Sequence, residues 1–339
     1  MTELAQAIGI SRPTLSKYFQ DPSSLRKSSV QKIEEALKQV DYVPNFFARN
    51  LNRKHTKLLG FIVPHLNDLF YTNLIESVET IAFENGYTLL VQNAHNDADR
   101  ELSALETLRS MNADGVIIAP VGNSIDEKAL ARLTDELPVV FVDAAIESLS
   151  GKYPFVGTNN DQSITLLVNY LCRSGKAPVF LGMPKVNSNS VERQSVYCKR
   201  MIELGETPII IEAGENNESW NFEEYAYNTM SSYFREGKFI DDTILCANDR
   251  LAFGVLKAVN ESRLWDGKIS PNSIRVAGHD NYPISDYVTP GLTTVAQDAG
   301  LIGQKAFEIL IKEANEPDRL NKQHAKLLID GKLIIRASA

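Results

Sequence analysis

Apolar residues recur along this chain at two different periods, and the change of period divides it. Near the start, Leu4, Ala5, Ile8, Ile10, Leu15 and Tyr18 are spaced so that two short helices can bury one shared seam. Gly9 lies between them, where a sharp turn needs positive φ. Ser11 is placed to cap a second helix over about residues 11–19, with Pro13 in its first turn, where a missing N–H costs nothing. A third helix is predicted from Ser28 or Ser29 to Val40, with Val30, Ile33, Ala36, Leu37 and Val40 facing inward. Three helices in this order form a helix-turn-helix pattern. Its outward residues Arg12, Pro13, Ser16 and Lys17 suit the base edges and phosphates of a major groove.

From Lys57 onward the period changes to short, continuous apolar runs alternating with amphipathic stretches. Residues 58–64, 87–93, 115–120 and 138–143 predict buried strands, with helical segments at about 71–85, 97–112 and 125–135 between them. The alternation repeats with strands at 178–184, 209–214, 243–248 and 274–280. Each set of four predicts a parallel sheet covered by helices on both faces.

Ligands of such open sheets collect at the carboxyl ends of the strands. Those ends are polar here. Asp143 closes one strand, Asn248-Asp249 another and His279-Asp280 a third. Phe70 and Tyr71 follow the first strand, Trp220 precedes a later helix, and Arg193, near the start of the helix after 178–184, is the one cation so placed. This inventory suits a sugar, because carboxylates, amides and a guanidinium bond hydroxyls while an aromatic face covers the C–H side of the ring. Asp249 reads better as a helix cap than as a ligand contact, and a strand-end carboxylate such as Asp143 or Asp280 can equally hold backbone N–H groups.

Composition narrows the class. The chain has 339 residues, 43% of them hydrophobic and 23% charged, enough for two or three domains. No apolar run approaches the roughly 18 residues of a membrane span, and the opening Met1-Thr2-Glu3-Leu4-Ala5-Gln6 is not a secretory leader, so a cytoplasmic location is expected. Cys172, Cys198 and Cys246 lie far apart, as suits a reducing compartment, and none is placed as a nucleophile. His55, His65, His95 and His324 lack metal-ligand spacing, so neither metal nor cofactor is expected. Glycine-rich phosphate loops and nucleophile elbows are absent as well, which argues against an enzyme. The net charge of -8 conceals a strong asymmetry. Residues 1–57 hold ten lysines and arginines against five acids, a net +5, while the remainder carries -13. A small basic head on an acidic body fits a polyanion reader joined to a second, sensing domain.

The stretch after the third helix makes the pattern specific. Leu4-Ala5, Gly9-Ile10-Ser11, Thr14-Leu15-Ser16-Lys17 and Tyr42-x-Pro44-Asn45-x-x-Ala48-Arg49-x-Leu51, followed by Leu59-Gly60 at the first strand, resemble the LacI/GalR family of bacterial transcriptional regulators. The resemblance runs through the whole chain. It implies a three-helix head with a hinge helix at about 45–53, then a two-lobed periplasmic-binding-protein-like α/β core with two parallel sheets. The implied domains are 1–57 for the head and 58–339 for the body, with one lobe at about 58–157 and 295–320 and the other at about 158–294 and 321–339.

Carried onto matching positions, the resemblance places Arg12, Pro13 and Lys17 at base-reading sites and Thr14, Ser16 and Ser29 near phosphates. Asn45 and Ala48 fall in the hinge, and Leu51 becomes its minor-groove wedge. Phe70, Tyr71, Asp143, Arg193, Trp220, Asn248 and Asp280 become effector-binding candidates. Lys17 stands where arginine is common, which exchanges a bidentate base contact for a single-point one. The implied partners are a near-palindromic operator, a second copy of the chain and a small sugar-like effector, without a membrane. The implied activity is repression of a carbohydrate-utilisation operon. A transport-system sugar-binding protein shares the body's fold but would need a leader and no basic head.

Overall fold

The computed structural model describes residues 2–20, 22–39, 55–122, 126–211, 220–265, 273–316 and 321–339. The head is three helices, α1 (Thr2–Ala7), α2 (Arg12–Gln20) and α3 (Lys27–Lys38). Leu4, Ala5, Leu15 and Ile33 are buried at their junction, and Ile8, Ile10, Tyr18 and Leu37 pack around them, as the spacing predicts. Phe19 and Leu25 join this core in addition. Gly9 has φ +67°, and a Cβ there would meet nothing within 4 Å, so the backbone turn alone requires the glycine. The Ser11 hydroxyl caps α2 by accepting from the Thr14 N–H at 3.3 Å. The third helix starts at Lys27, slightly earlier than predicted, behind Arg26, whose side chain makes no cap. Val40, Asn45, Ala48, Leu51 and the whole predicted hinge helix lie outside the described residues.

The body opens before residue 58. Thr56 is buried, its N–H and that of Lys57 donate to the two carboxylate oxygens of Asp114 at 2.7 and 3.0 Å, and its hydroxyl donates to the Asn112 carbonyl at 2.7 Å. Residues 56–57, expected in the head, are thus tied to the body.

The first lobe carries a six-stranded parallel sheet of order β11-β5-β4-β3-β1-β2. Its strands are β1 (Leu58–Val63), β2 (Thr88–Asn93), β3 (Gly115–Ile118), β4 (Val139–Val142), β5 (Phe155–Thr158) and β11 (Lys326–Ile329). All of β1, Leu-Leu-Gly-Phe-Ile-Val, is buried, because helices cover both faces. Helices α4 (Leu69–Glu84) and α11 (Ala299–Ala314) cover one face, α5 (Ala98–Ser110) and α6 (Glu127–Thr134) the other. The second lobe carries a four-stranded parallel sheet of order β7-β6-β8-β9, built from β6 (Val179–Leu181), β7 (Ile210–Ile211), β8 (Thr243–Cys246) and β9 (Arg275–Ala277). Around it lie α7 (Asn160–Ser174), α8 (Ser188–Glu203), α9 (Phe222–Arg235) and α10 (Asp249–Glu261). All eight predicted strands form, while β5, β10 (Thr294–Ala296), β11 and β12 (Lys332–Ile334) were not predicted.

The chain's last segment departs from expectation. Residues 321–339 were assigned to the second lobe, but β11 pairs with β5 and extends the first sheet. β12 and the residues after it do return to the second lobe: β12 pairs antiparallel with β10, which itself bridges beside β9 through Ala277 and Thr293, and Ser338 and Ala339 bond Val276 and Tyr170. The lobes are therefore joined where the chain crosses near 158–160, 296–299 and 329–332. Those crossings are bonded to one another: Thr158 donates to Gln297, Gln162 exchanges bonds of 2.9 and 3.1 Å with the backbone of Gly331, and Asn159 donates to Asp330 at 2.8 Å. Among the described residues no helix is long and apolar enough to cross a membrane.

One buried charge in the first lobe makes a pH prediction. Glu101 is 2% exposed, its carboxylate accepts from the Val121 N–H at 2.8 Å, and burial pushes its pKa up to about 7. The folded state thus holds this proton more tightly than the unfolded chain, so its stabilising contribution is full below about pH 4.5 and is lost as pH rises through about 7. Glu101→Gln keeps an acceptor and removes the charge. It should raise stability at pH 8 by roughly 1–3 kcal/mol with little change at pH 5, as read from urea midpoints at the two pH values.

Candidate functional site

Two surfaces carry the expected chemistry. On the head, Arg12, Pro13 and Lys17 are exposed along α2, with Thr14 and Ser16 half-buried beside them and Ser29 half-buried in the first turn of α3. The buried seam of Leu15 against Leu4, Ala5 and Ile33 turns that face of α2 outward.

On the body, the carboxyl ends of both sheets face one narrow cavity between the lobes. The first lobe contributes Phe70, Tyr71 and Asp143, and the second contributes Arg193, Trp220, Asn248 and Asp280. The structure brings all seven candidates together. Asp143 follows β4 at φ +66°, and its two oxygens accept from Tyr71 Oη at 2.9 Å and Asn189 Nδ2 at 3.0 Å. The second bond crosses the cleft. Burial raises the Asp143 pKa to about 6 against the opposing pull of the Arg193 charge and the Tyr71 hydroxyl.

Arg193, in the second turn of α8, is 3% exposed. Its Nε donates to Asn160 Oδ1 at 3.0 Å, and its Nη1 to the Ala247 carbonyl at 2.8 Å and to Asp280 Oδ1 at 3.3 Å. The two predicted ligand groups are therefore also a buried ion pair. The same Asp280 oxygen accepts from Gln297 Nε2 at 2.6 Å and lies 3.0 Å from His279 Nδ1. Burial is the main cause raising the Asp280 carboxyl to about 7. His279 is held neutral by burial and by the Arg193 charge, and its Nε2 lies 2.9 Å from Ser163 Oγ. Ser163, His279 and Asp280 align like a nucleophilic relay, but Ser163 is wholly buried and no substrate can reach its hydroxyl. The line instead orients Asp280.

Asn248, rather than Asp249, is the cap of α10: its Oδ1 accepts from the Leu251 N–H at 2.9 Å, while its Nδ2 has only Met183 sulfur at 3.8 Å. Asp249, fully buried, accepts from the Tyr282 N–H, the Ser285 hydroxyl and the Thr294 hydroxyl at 3.0, 2.6 and 2.6 Å. It clamps the loop that carries Asp280. Trp220 stacks 6.4 Å from His65 and lies 5.4 Å from Phe222, forming an aromatic wall.

Sequence reasoning missed the groups that lock the lobes together. Asp68 caps α4, accepts from the Tyr282 hydroxyl, and pairs with Arg250 Nη1 at 3.3 Å. Arg250 is held in turn by two bonds to Glu223 at 2.7 and 2.8 Å and one to the Trp220 carbonyl at 2.8 Å. Glu223 reaches it because α9 and α10 touch at Gly254, where a Cβ would lie 2.2 Å from the Glu223 carbonyl oxygen. A third link joins the Ala145 N–H to Ser188 Oγ at 2.9 Å. An N-cap aspartate before Phe70-Tyr71 was the only sequence signal for Asp68.

Known proteins carry the same two-part plan. Residues 59–317 match the periplasmic binding protein domain family, and residues 1–43 match a helix-turn-helix family. The HTH-type transcriptional repressor PurR of Histophilus somni is 25% identical over 337 residues, covering 99% of this chain and 97% of that protein. The sucrose operon repressor of Streptococcus mutans is 26% identical over 320 residues, covering 94% and 93%. Among solved structures, the lac repressor dimer bound to operator and the anti-inducer ONPF superimposes with a TM-score of 0.82 at 22% identity, over 99% of this chain and 97% of that one. A basic helix-turn-helix head on a two-lobed periplasmic-binding body, matched along its whole length by repressors, belongs to the LacI/GalR family of transcriptional regulators.

Proposed function

We propose that this regulator represses a carbohydrate-utilisation operon in the cytoplasm, binding a near-palindromic operator as a homodimer and responding to a sugar-like effector held between its lobes. The observation that carries the reading is the cavity lined from both lobes. A ligand there touches Asp143 on one side and Arg193, Asn248 and Asp280 on the other, so its binding energy depends on how the lobes are set. The crossings near residues 158, 297 and 331 are where that setting can change. Shifting the lobe arrangement alters the spacing of the two heads on the dimer axis. Coupling free energies of about 1–3 kcal/mol give a 5–150-fold change in operator affinity.

The head reads DNA through Arg12, Pro13 and Lys17, with Thr14, Ser16 and Ser29 against phosphates. Asn45, Ala48 and Leu51 act from the hinge, where an apolar wedge opens the minor groove. Lys17→Ala should cost about 1–3 kcal/mol on duplexes selected from a random pool and almost nothing on unselected DNA, because a base contact discriminates. Lys27→Ala, in the exposed first turn of α3, should weaken both alike, since phosphates carry no sequence information. Fluorescence anisotropy on both DNAs tests this, and equal losses for Lys17→Ala would remove it from the base-reading set. A thermal-shift screen of sugars with and without the selected duplex tests the effector half, since a ligand that favours the native state raises its melting point.

A further inference from the structure

The interlobe cavity is rich in negative charge and poor in free positive charge. Asp68, Asp143 and Asp280 line it, with Arg193 as the one lining cation among the described residues. Both guanidiniums of the neighbourhood are already committed. Arg193 spends Nε and Nη1 on Asn160, Ala247 and Asp280, and Arg250 spends all three nitrogens on Glu223, Trp220 and Asp68. Neither can offer the two-pronged fork by which arginine grips a phosphate or carboxylate. The amino-terminal turn of α8, the other potential anion holder, already faces Asp143 through Asn189.

The atoms left over define the ligand. Among the described residues, Arg193 Nη2 donates to no partner, and Asn248 Nδ2 has only a distant sulfur. Asp280 Oδ2 accepts no bond, its companion oxygen taking all three, and Asn187 Oδ1 is buried at the cavity with no partner. Asn187 Nδ2 and Trp220 Nε1 also have no bonded partner among the described residues, so donors and acceptors remain interleaved across one small space. A hydroxyl satisfies either kind, because it both donates and accepts, whereas a phosphate oxygen only accepts and would confront Asp280 Oδ2 and Asn187 Oδ1.

We propose that the cavity takes an uncharged polyhydroxyl ligand, a free sugar, and excludes sugar phosphates and sugar acids. The inference rests on the sugar-effector reading above and narrows it. The raised pKa values of Asp143 and Asp280 agree, since the site already accommodates its own negative charge poorly.

The test uses the full chain in isothermal titration at pH 7.5. One series is glucose, fructose, sucrose, trehalose and cellobiose. A second is glucose 6-phosphate, fructose 6-phosphate, trehalose 6-phosphate and gluconate, and hypoxanthine stands as the non-sugar control. The expected result is that at least one free sugar binds at one site per chain and that its phosphate or acid binds at least 100-fold more weakly. Equal or tighter binding of the charged form overturns the proposal and leaves the sugar reading in place. Binding of hypoxanthine with silence from both sugar series overturns the sugar reading itself and the proposal with it, as does silence from every compound.

Discussion

Removing residues 1–54 should abolish binding to a selected operator while leaving a folded body that still takes its effector. Specific DNA binding exceeds non-specific binding by about 10³–10⁷, so the loss should be at least 1,000-fold. Two observations set the size of the effect. The net +5 of residues 1–57 stands against -13 on the rest, so the truncated protein presents an acidic surface to phosphate. The head also has its own core of Leu4, Ala5, Leu15 and Ile33, separate from the three clusters that hold the lobes. The cut falls at 54 because Thr56 and Lys57 bond Asp114, and a cut after 57 would strand that buried carboxylate. Gel shift and circular dichroism measure the two halves of the expectation. For the intact chain, log affinity should fall linearly with log salt. Undiminished operator binding by the truncated protein would overturn the assignment of DNA reading to the head.

Arg193→Ala should erase the effector response and cost roughly 3–5 kcal/mol of stability, because it breaks a buried ion pair and removes the bonds that Arg193 makes to Asn160 and the Ala247 carbonyl. Asp280→Asn should also erase the response and carry a cost of its own, since Arg193 stays charged and buried without a carboxylate partner, keeping only its bonds to Asn160 and Ala247. Combining the two should recover part of the stability lost in Arg193→Ala without restoring the response, which separates ion pairing from ligand contact. Urea midpoints report the first property, and operator anisotropy with added sugar the second. Unchanged effector affinity in well-folded variants would move the ligand contacts to Phe70, Asp143 and Trp220.

What could be read from the sequence is what local chemistry decides. Gly9 and Ser11 announce the turn and cap of the head because positive φ and an N-cap are properties of single residues and their immediate neighbours. The eight predicted strands appear because buried parallel strands are continuous apolar runs. Asp143, Asn248 and Asp280 could be nominated because chain direction alone puts the residues after parallel strands at one edge.

The rest depends on partners far away in sequence. Strand β11 reads no differently whether it joins the first sheet or the second, and only its pairing with β5 across some 170 residues decides. Likewise Asp249 and Asp280 are both strand-end carboxylates. One became a loop clamp because Tyr282, Ser285 and Thr294 surround it with donors. The other kept an oxygen for the cavity because Arg193, His279 and Gln297 all converge on its companion. Asp68, Arg250 and Tyr282 escaped notice for the same reason: a latch between lobes exists only once two separately folded sheets are brought face to face, and no local pattern records that meeting.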